Sequence, residues 1–160
     1  MCKVHFTLQE GNFDEHTPPP HGGGESLWAE LLSDETAKLR NIPFVIKGVS
    51  HLDQVKLKKY EPEPGLEDME IGPNFFEFDK VIERSGHGTV RAISRSVKSE
   101  ALVAALCKIN ELGCDSESTR GYGIVAIDIP RHIDSGQVMA LLEPLRLADE
   151  IYIDIGFLPT

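Results

Sequence analysis

Val4, Phe6 and Leu8 fall on one side of the opening segment Lys3–Leu8, the period-two pattern of a strand with one buried face. From 10 to 25 that pattern gives way to glycine, proline and polar residues. Thr17-Pro18-Pro19-Pro20-His21-Gly22-Gly23-Gly24 forbids a helix and predicts a long mobile loop. Ser26–Leu32 is apolar on both faces, which predicts a short buried strand, with Thr36–Leu39 as its hairpin partner. Pro43 turns the chain, Phe44-Val45-Ile46 resumes strand character, Gly48 breaks it, and Gln54–Tyr60 forms a further strand. Short strands at this spacing predict a small twisted β-sheet or open barrel over 1–60.

The stretch 61–74 is acidic and rich in proline and glycine, and reads as a solvated linker. Beyond it the periodicities are clearer. Phe75–Glu83 and Thr89–Ser94 read as the two arms of a hairpin around Ser85-Gly86-His87-Gly88. Ser96 or Ser99 caps a helix carrying Leu102, Leu106 and Ile109, and Gly113 stands in its C′ position. Tyr122–Ile129 is apolar on both faces and predicts a central strand. Asp134 or Ser135 caps a second helix, limited by Pro144, and Ile151–Phe157 alternates as a half-buried strand. The class is α+β: the β-rich lobe, then over 75–160 a ferredoxin-like β-β-α-β-α-β sandwich with two helices on one face.

Charge and cysteine usage narrow the function. A net charge of −10 repels phosphate backbones, which argues against nucleic acid and favours a basic partner. No apolar run approaches the length of a membrane span, and the first residues read as a strand rather than a signal peptide. Together with the odd number of cysteines, Cys2, Cys107 and Cys114, this points to a cytoplasmic protein with reduced thiols serving as small buried hydrophobes.

The segment most suggestive of chemistry is Glu83–Arg91. No acid lies between Arg84 and Ser99, so Arg84, Arg91, Arg95 and Lys98 form a basic island in an acidic chain. Glycines flanking His87 open the backbone for anion binding, and Arg84, Ser85, His87, Thr89 and Arg91 are the candidate ligand-binding residues. No catalytic set is identifiable. Cys2, His5, His16 and His21 lack metal-ligand spacing, Gly22-Gly23-Gly24 lacks the Lys-Ser/Thr of a phosphate loop, and no cofactor is implied. Trp28, within Leu27-Trp28-Ala29, is expected in the core.

Leu27-Trp28-Ala29, Asn41-Ile42-Pro43-Phe44, Gly48-Val49-Ser50 and above all Arg84-Ser85-Gly86-His87-Gly88-Thr89-Val90-Arg91 occur in an order that resembles a bacterial family, domain of unknown function 4265. The resemblance runs from Lys3 to the last strand. It implies a bacterial cytoplasmic protein and carries no activity. His51-Leu52-Asp53 departs from it, standing where a Gly-Asp turn is common.

The expected function is therefore a non-enzymatic module that engages a basic protein, as small acidic immunity proteins do by analogy. The alternatives are a small-anion site, or an enzyme using His87 as base, on the 84–91 segment. Oligomeric state is not legible in the chain.

Overall fold

The computed structural model describes residues 1–8, 24–62, 64, 72–95, 99–119 and 123–160. The expected mobile loop lies almost entirely outside the described residues, as does most of the acidic linker. Five strands, β1 (Cys2–Thr7), β2 (Gly24–Ser33), β3 (Thr36–Leu39), β4 (Gln54–Lys59) and β5 (Phe75–Glu83), close into a barrel. Neighbours are antiparallel except at the seam, where β1 runs parallel to β5 with Val4 opposite Phe76. Closure follows from the alternation: Val4, Phe6, Leu27, Ala29, Ala37, Leu39, Val55 and Leu57 all point inward and form one core. The Phe6 ring stacks on Phe78 at 4.6 Å. Each large side chain buried here contributes about 1.5–3 kcal/mol of transfer free energy.

The remaining strands, β6 (Gly88–Ser94), β7 (Asp115–Ser118), β8 (Ile124–Ile129) and β9 (Ile151–Phe157), form an antiparallel sheet in the order β7-β8-β6-β9. Helices α1 (Glu100–Glu111) and α2 (Ser135–Leu147) cover one face of it. Ser99 accepts from Leu102 N–H at the first helix and Asp134 from Gly136 N–H at the second, so each helix begins on an expected cap. Gly113 follows the first helix with φ 103°, a conformation that favours glycine. No helix among the described residues is long and apolar enough to cross a membrane.

Several expectations give way. β5 and β6 are not a hairpin: β5 completes the barrel, and residues 84–87 are the crossing from one sheet to the other. The change of sheet therefore falls after Glu83 rather than at 61–74. Glycine-rich turn chemistry is common to hairpins and to sharp crossings, and only long-range pairing separates them. β7 was not expected at all, because Asp-Ser-Glu-Ser has no strand propensity. Helix α2 continues through Pro144 to Leu147. Phe44-Val45-Ile46 forms no strand; Val45 and Ile46 instead plug the barrel core. Trp28 is 47% exposed, since β2 buries only Leu27 and Ala29 on its inner face. Cys107 is exposed, whereas Cys2 and Cys114 are buried as expected. β9 is covered on both faces: Ile151 and Ile153 pack in the helix-side core as expected, but Asp154 and Gly156, expected on a solvated face, are buried on the other, and Ile155 is exposed. A register irregularity lies opposite Thr89–Val90, where β9 passes from Ile155 to Phe157.

Candidate functional site

The helix-free face of the second sheet carries Thr89, Arg91, Asp128 and Asp154, all buried. Charged residues are buried only when something covers and pairs them. Here the cover is the barrel segment 43–53. Arg91 donates through Nε to Pro43 O at 3.1 Å, through Nη1 to Asp154 Oδ2 at 2.6 Å, and through Nη2 to Ile46 O. Lys47 adds a second cation, 3.0 Å from Asp154 Oδ1. A Cβ at Gly156 would lie 2.9 Å from Arg91 Nη2, so the guanidinium needs glycine there. Gly156 O also accepts from Gly48 N–H, which ties β9 to the same segment.

The second bolt is Asp53, whose side chain is 1% exposed. Its Oδ1 accepts from Ser85 N–H at 2.8 Å, and its Oδ2 from Ser50 N–H and Arg84 Nη1, each at 3.0 Å. Arg84 also donates to Gly48 O at 2.6 Å, with its guanidinium 4.3 Å from the Phe157 ring centre. Ser85 Oγ shares its proton between His51 O at 2.8 Å and Asp53 Oδ1 at 3.1 Å, and accepts from His87 N–H at 3.1 Å. Thr89 Oγ1 donates to Ser50 Oγ at 3.3 Å inside the seam.

One hydroxyl thus joins the backbones of two histidines that are 36 residues apart in the chain. Each is also next to a residue with positive φ: Leu52 (66°) follows His51, and Gly86 (84°) precedes His87. Leucine seldom takes that conformation, and the tight turn closed by Asp53 N–H on Ser50 O imposes it. The two imidazoles stand edge to face, 5.7 Å between centroids. Both direct Nδ1 at the carboxylate of Asp128: His87 lies 2.9 Å from each oxygen, and His51 3.2 Å from Oδ2.

Of the five residues expected to bind a ligand, all lie at this seam, but in different settings. Arg91 is wholly buried and Thr89 with it, Arg84 is paired with Asp53, and Ser85 serves the backbone. His87 remains partly open, its side chain 17% exposed. The structure adds His51 and Asp128, which the chain places 36 and 41 residues away. The signal for Asp128 was present: it is the one charged residue in the otherwise apolar strand Ile124–Ile129. His51 gave only its departure from the turn pattern.

Ser85 Oγ bonds no imidazole, so a serine–histidine nucleophile is not assembled. Grooves of about 660 and 370 Å³ lie along β4 and β5 and beside α2, and neither is lined by His51, His87 or Asp128.

A model of a domain of unknown function, DUF4265, matches residues 25–152 of the chain. No curated protein sequence matches it. The crystal structure of a hypothetical protein from Neisseria gonorrhoeae is similar, with a TM-score of 0.70 over 99% of this chain and 94% of that one. At 16% identity, that similarity shows a shared fold.

Proposed function

The chain belongs to the DUF4265 family of domains of unknown function, and from that premise we propose that it is a non-enzymatic module that binds a basic protein. The observation that carries this reading is the outer face of β2. Trp28 and Leu32 are 47% and 46% exposed on it, Leu31, which shares the face of Leu27 and Ala29 and pairs with buried Ala37, is 38% exposed toward the strand's end, and Glu30, Asp34 and Glu35 are exposed beside them. Single exposed apolar side chains need no explanation, but three within five residues of one strand, one of them tryptophan, are the composition of a docking surface. A net charge of −10 steers a cationic partner toward it.

The anion-site and His-base alternatives draw less support. Both guanidiniums that would hold an anion are engaged with buried aspartates, and among the described residues no hydroxyl or thiol bonds the His87 imidazole, whose Nδ1 faces Asp128. The strand order β7-β8-β6-β9, with two helices on one face, supports reading the C-terminal unit as a ferredoxin-like sandwich. Three free thiols fit a reducing bacterial cytoplasm.

The test is affinity capture from extract of the source cells, wild type beside a Trp28→Ala/Leu32→Ser variant, at low and high salt. One partner should be held by wild type and lost by the variant and by high salt, and should bind again when purified. Identical recoveries for the two proteins would sink the reading.

A further inference from the structure

Three carboxylates are buried at the seam, and two of them have permanent counter-charges: Arg84 for Asp53, Arg91 and Lys47 for Asp154. Asp128 differs. Its side chain is 3% exposed, and its ion-pair partners among the described residues are the imidazoles of His51 and His87 rather than a lysine or arginine. A buried carboxylate whose partners are imidazoles alone lacks the fixed counter-charge that Arg84, Arg91 and Lys47 give the other two.

We propose that His51, His87 and Asp128 form a binding site for a divalent first-row transition-metal ion. The donor set, two imidazole nitrogens and one carboxylate, is the borderline chemistry that suits zinc(II), cobalt(II), nickel(II) or iron(II) rather than calcium or magnesium. The spacing agrees. Ligands about 2.1 Å from one ion stand roughly 3.0–3.4 Å apart at octahedral and tetrahedral angles. The Nδ1–carboxylate separations are 2.9 and 3.2 Å, and one ligating atom from each residue lies within 4.8 Å of the others.

The site is also held open for this use. Ser85 fixes both histidine backbones, and Asp53 fixes Ser85 in turn, so ordering the ligands costs the ion little. The three ligands come from the barrel loop, the crossing and the sheet, so the ion would clamp the two sheets together. Three protein donors leave coordination positions vacant toward the exposed sides of the imidazoles, which are 22% and 17% exposed. Ligation through Nδ1 requires each neutral ring to carry its proton on Nε2, and neither Nε2 has a partner among the described residues to oppose that shift.

The experiment uses the full chain, stripped with a chelator and dialysed at pH 7.5. Cobalt(II) is titrated under visible absorption and zinc(II) by calorimetry, with His51→Ala/His87→Ala and Asp128→Asn beside wild type and circular dichroism to check folding. One equivalent should bind with d–d bands above 500 nm, and each variant should weaken binding by at least ~10-fold, the scale of losing even an outer-shell partner. If a variant fails to fold, 15N spectra of wild type decide: zinc should move the Nδ1 resonances of two histidines and leave the other four in place. Absence of saturable binding, or unchanged binding in the folded double-histidine variant, which keeps His5, His16, His21 and His132, overturns the proposal.

Discussion

Arg91 donates to Asp154 at 2.6 Å with neither side chain reaching solvent, one from β6 and the other from β9. The pair sits where the barrel segment 43–50 lies on the sheet, and it holds two carbonyls of that segment as well. Removing one member of a buried pair costs about 3–5 kcal/mol, because the other charge stays behind. Arg91→Met should destabilise by about that much in urea unfolding. Arg91→Met/Asp154→Leu should cost less than the sum of the two single changes, since the double variant leaves no stranded charge from the pair. Additive losses would show that the guanidinium acts through the carbonyls rather than through the ion pair.

Gly156→Ala tests the same contact from the other side. Its Cβ would meet Arg91 Nη2 at 2.9 Å, and a buried guanidinium tied at three points cannot yield. A loss of about 1–3 kcal/mol is expected, the range for overpacking, read as a lower urea midpoint with unchanged slope.

These pairs mark the limit of what the chain discloses. Element type was legible wherever period and caps agreed, as at Ser99, Asp134 and Gly113. What stayed hidden was set by distant pairing: β5 joins β1 and β4 across intervening strands and loops, and no local pattern encodes that choice. Burial failed where charges pair internally. Arg91 reads as a surface ligand because its compensating aspartate is 63 residues on. His87 was legible from its flanking glycines, but its partners come from a turn and a strand whose proximity only the fold creates.

The thiols should separate cleanly. Burial pushes the Cys2 thiol up, offset in part by the chain's amino terminus, and it pushes Cys114 up with help from Asp128 and Asp115. Cys107 is exposed. A thiol-specific disulfide reagent at pH 8 should modify Cys107 rapidly and the other two only as fast as the protein opens. Three equally fast thiols would contradict the burial of β1.

His5 gives the barrel a pH dependence. Burial lowers its pKa, against a weaker upward pull from Glu77, and its ring packs against Tyr60 and Phe75. The unfolded chain therefore takes up this proton first as pH falls. The contribution of neutral His5 is complete above the unfolded value of about 6.5, and declines as pH drops through it toward the folded value. His5→Gln should flatten the fall in melting temperature between pH 7 and 5.5. An equal slope in both proteins would assign the effect elsewhere.

Ser85→Ala separates the bolt from the cluster it aligns. The substitution removes the hydroxyl that accepts from His87 N–H and donates to His51 O, while the Ser85 backbone bond to Asp53 stays possible. Lost hydrogen bonds of this kind cost about 1–2 kcal/mol, so the protein should remain folded with a modestly lower urea midpoint. The informative readout is local. With the hydroxyl gone, the two imidazoles lose their common anchor, and their ring resonances should shift and broaden while those of His5 and His132 hold. If stability falls but both ring environments stay fixed, Asp128 alone aligns the imidazoles and Ser85 serves only the joint between the sheets.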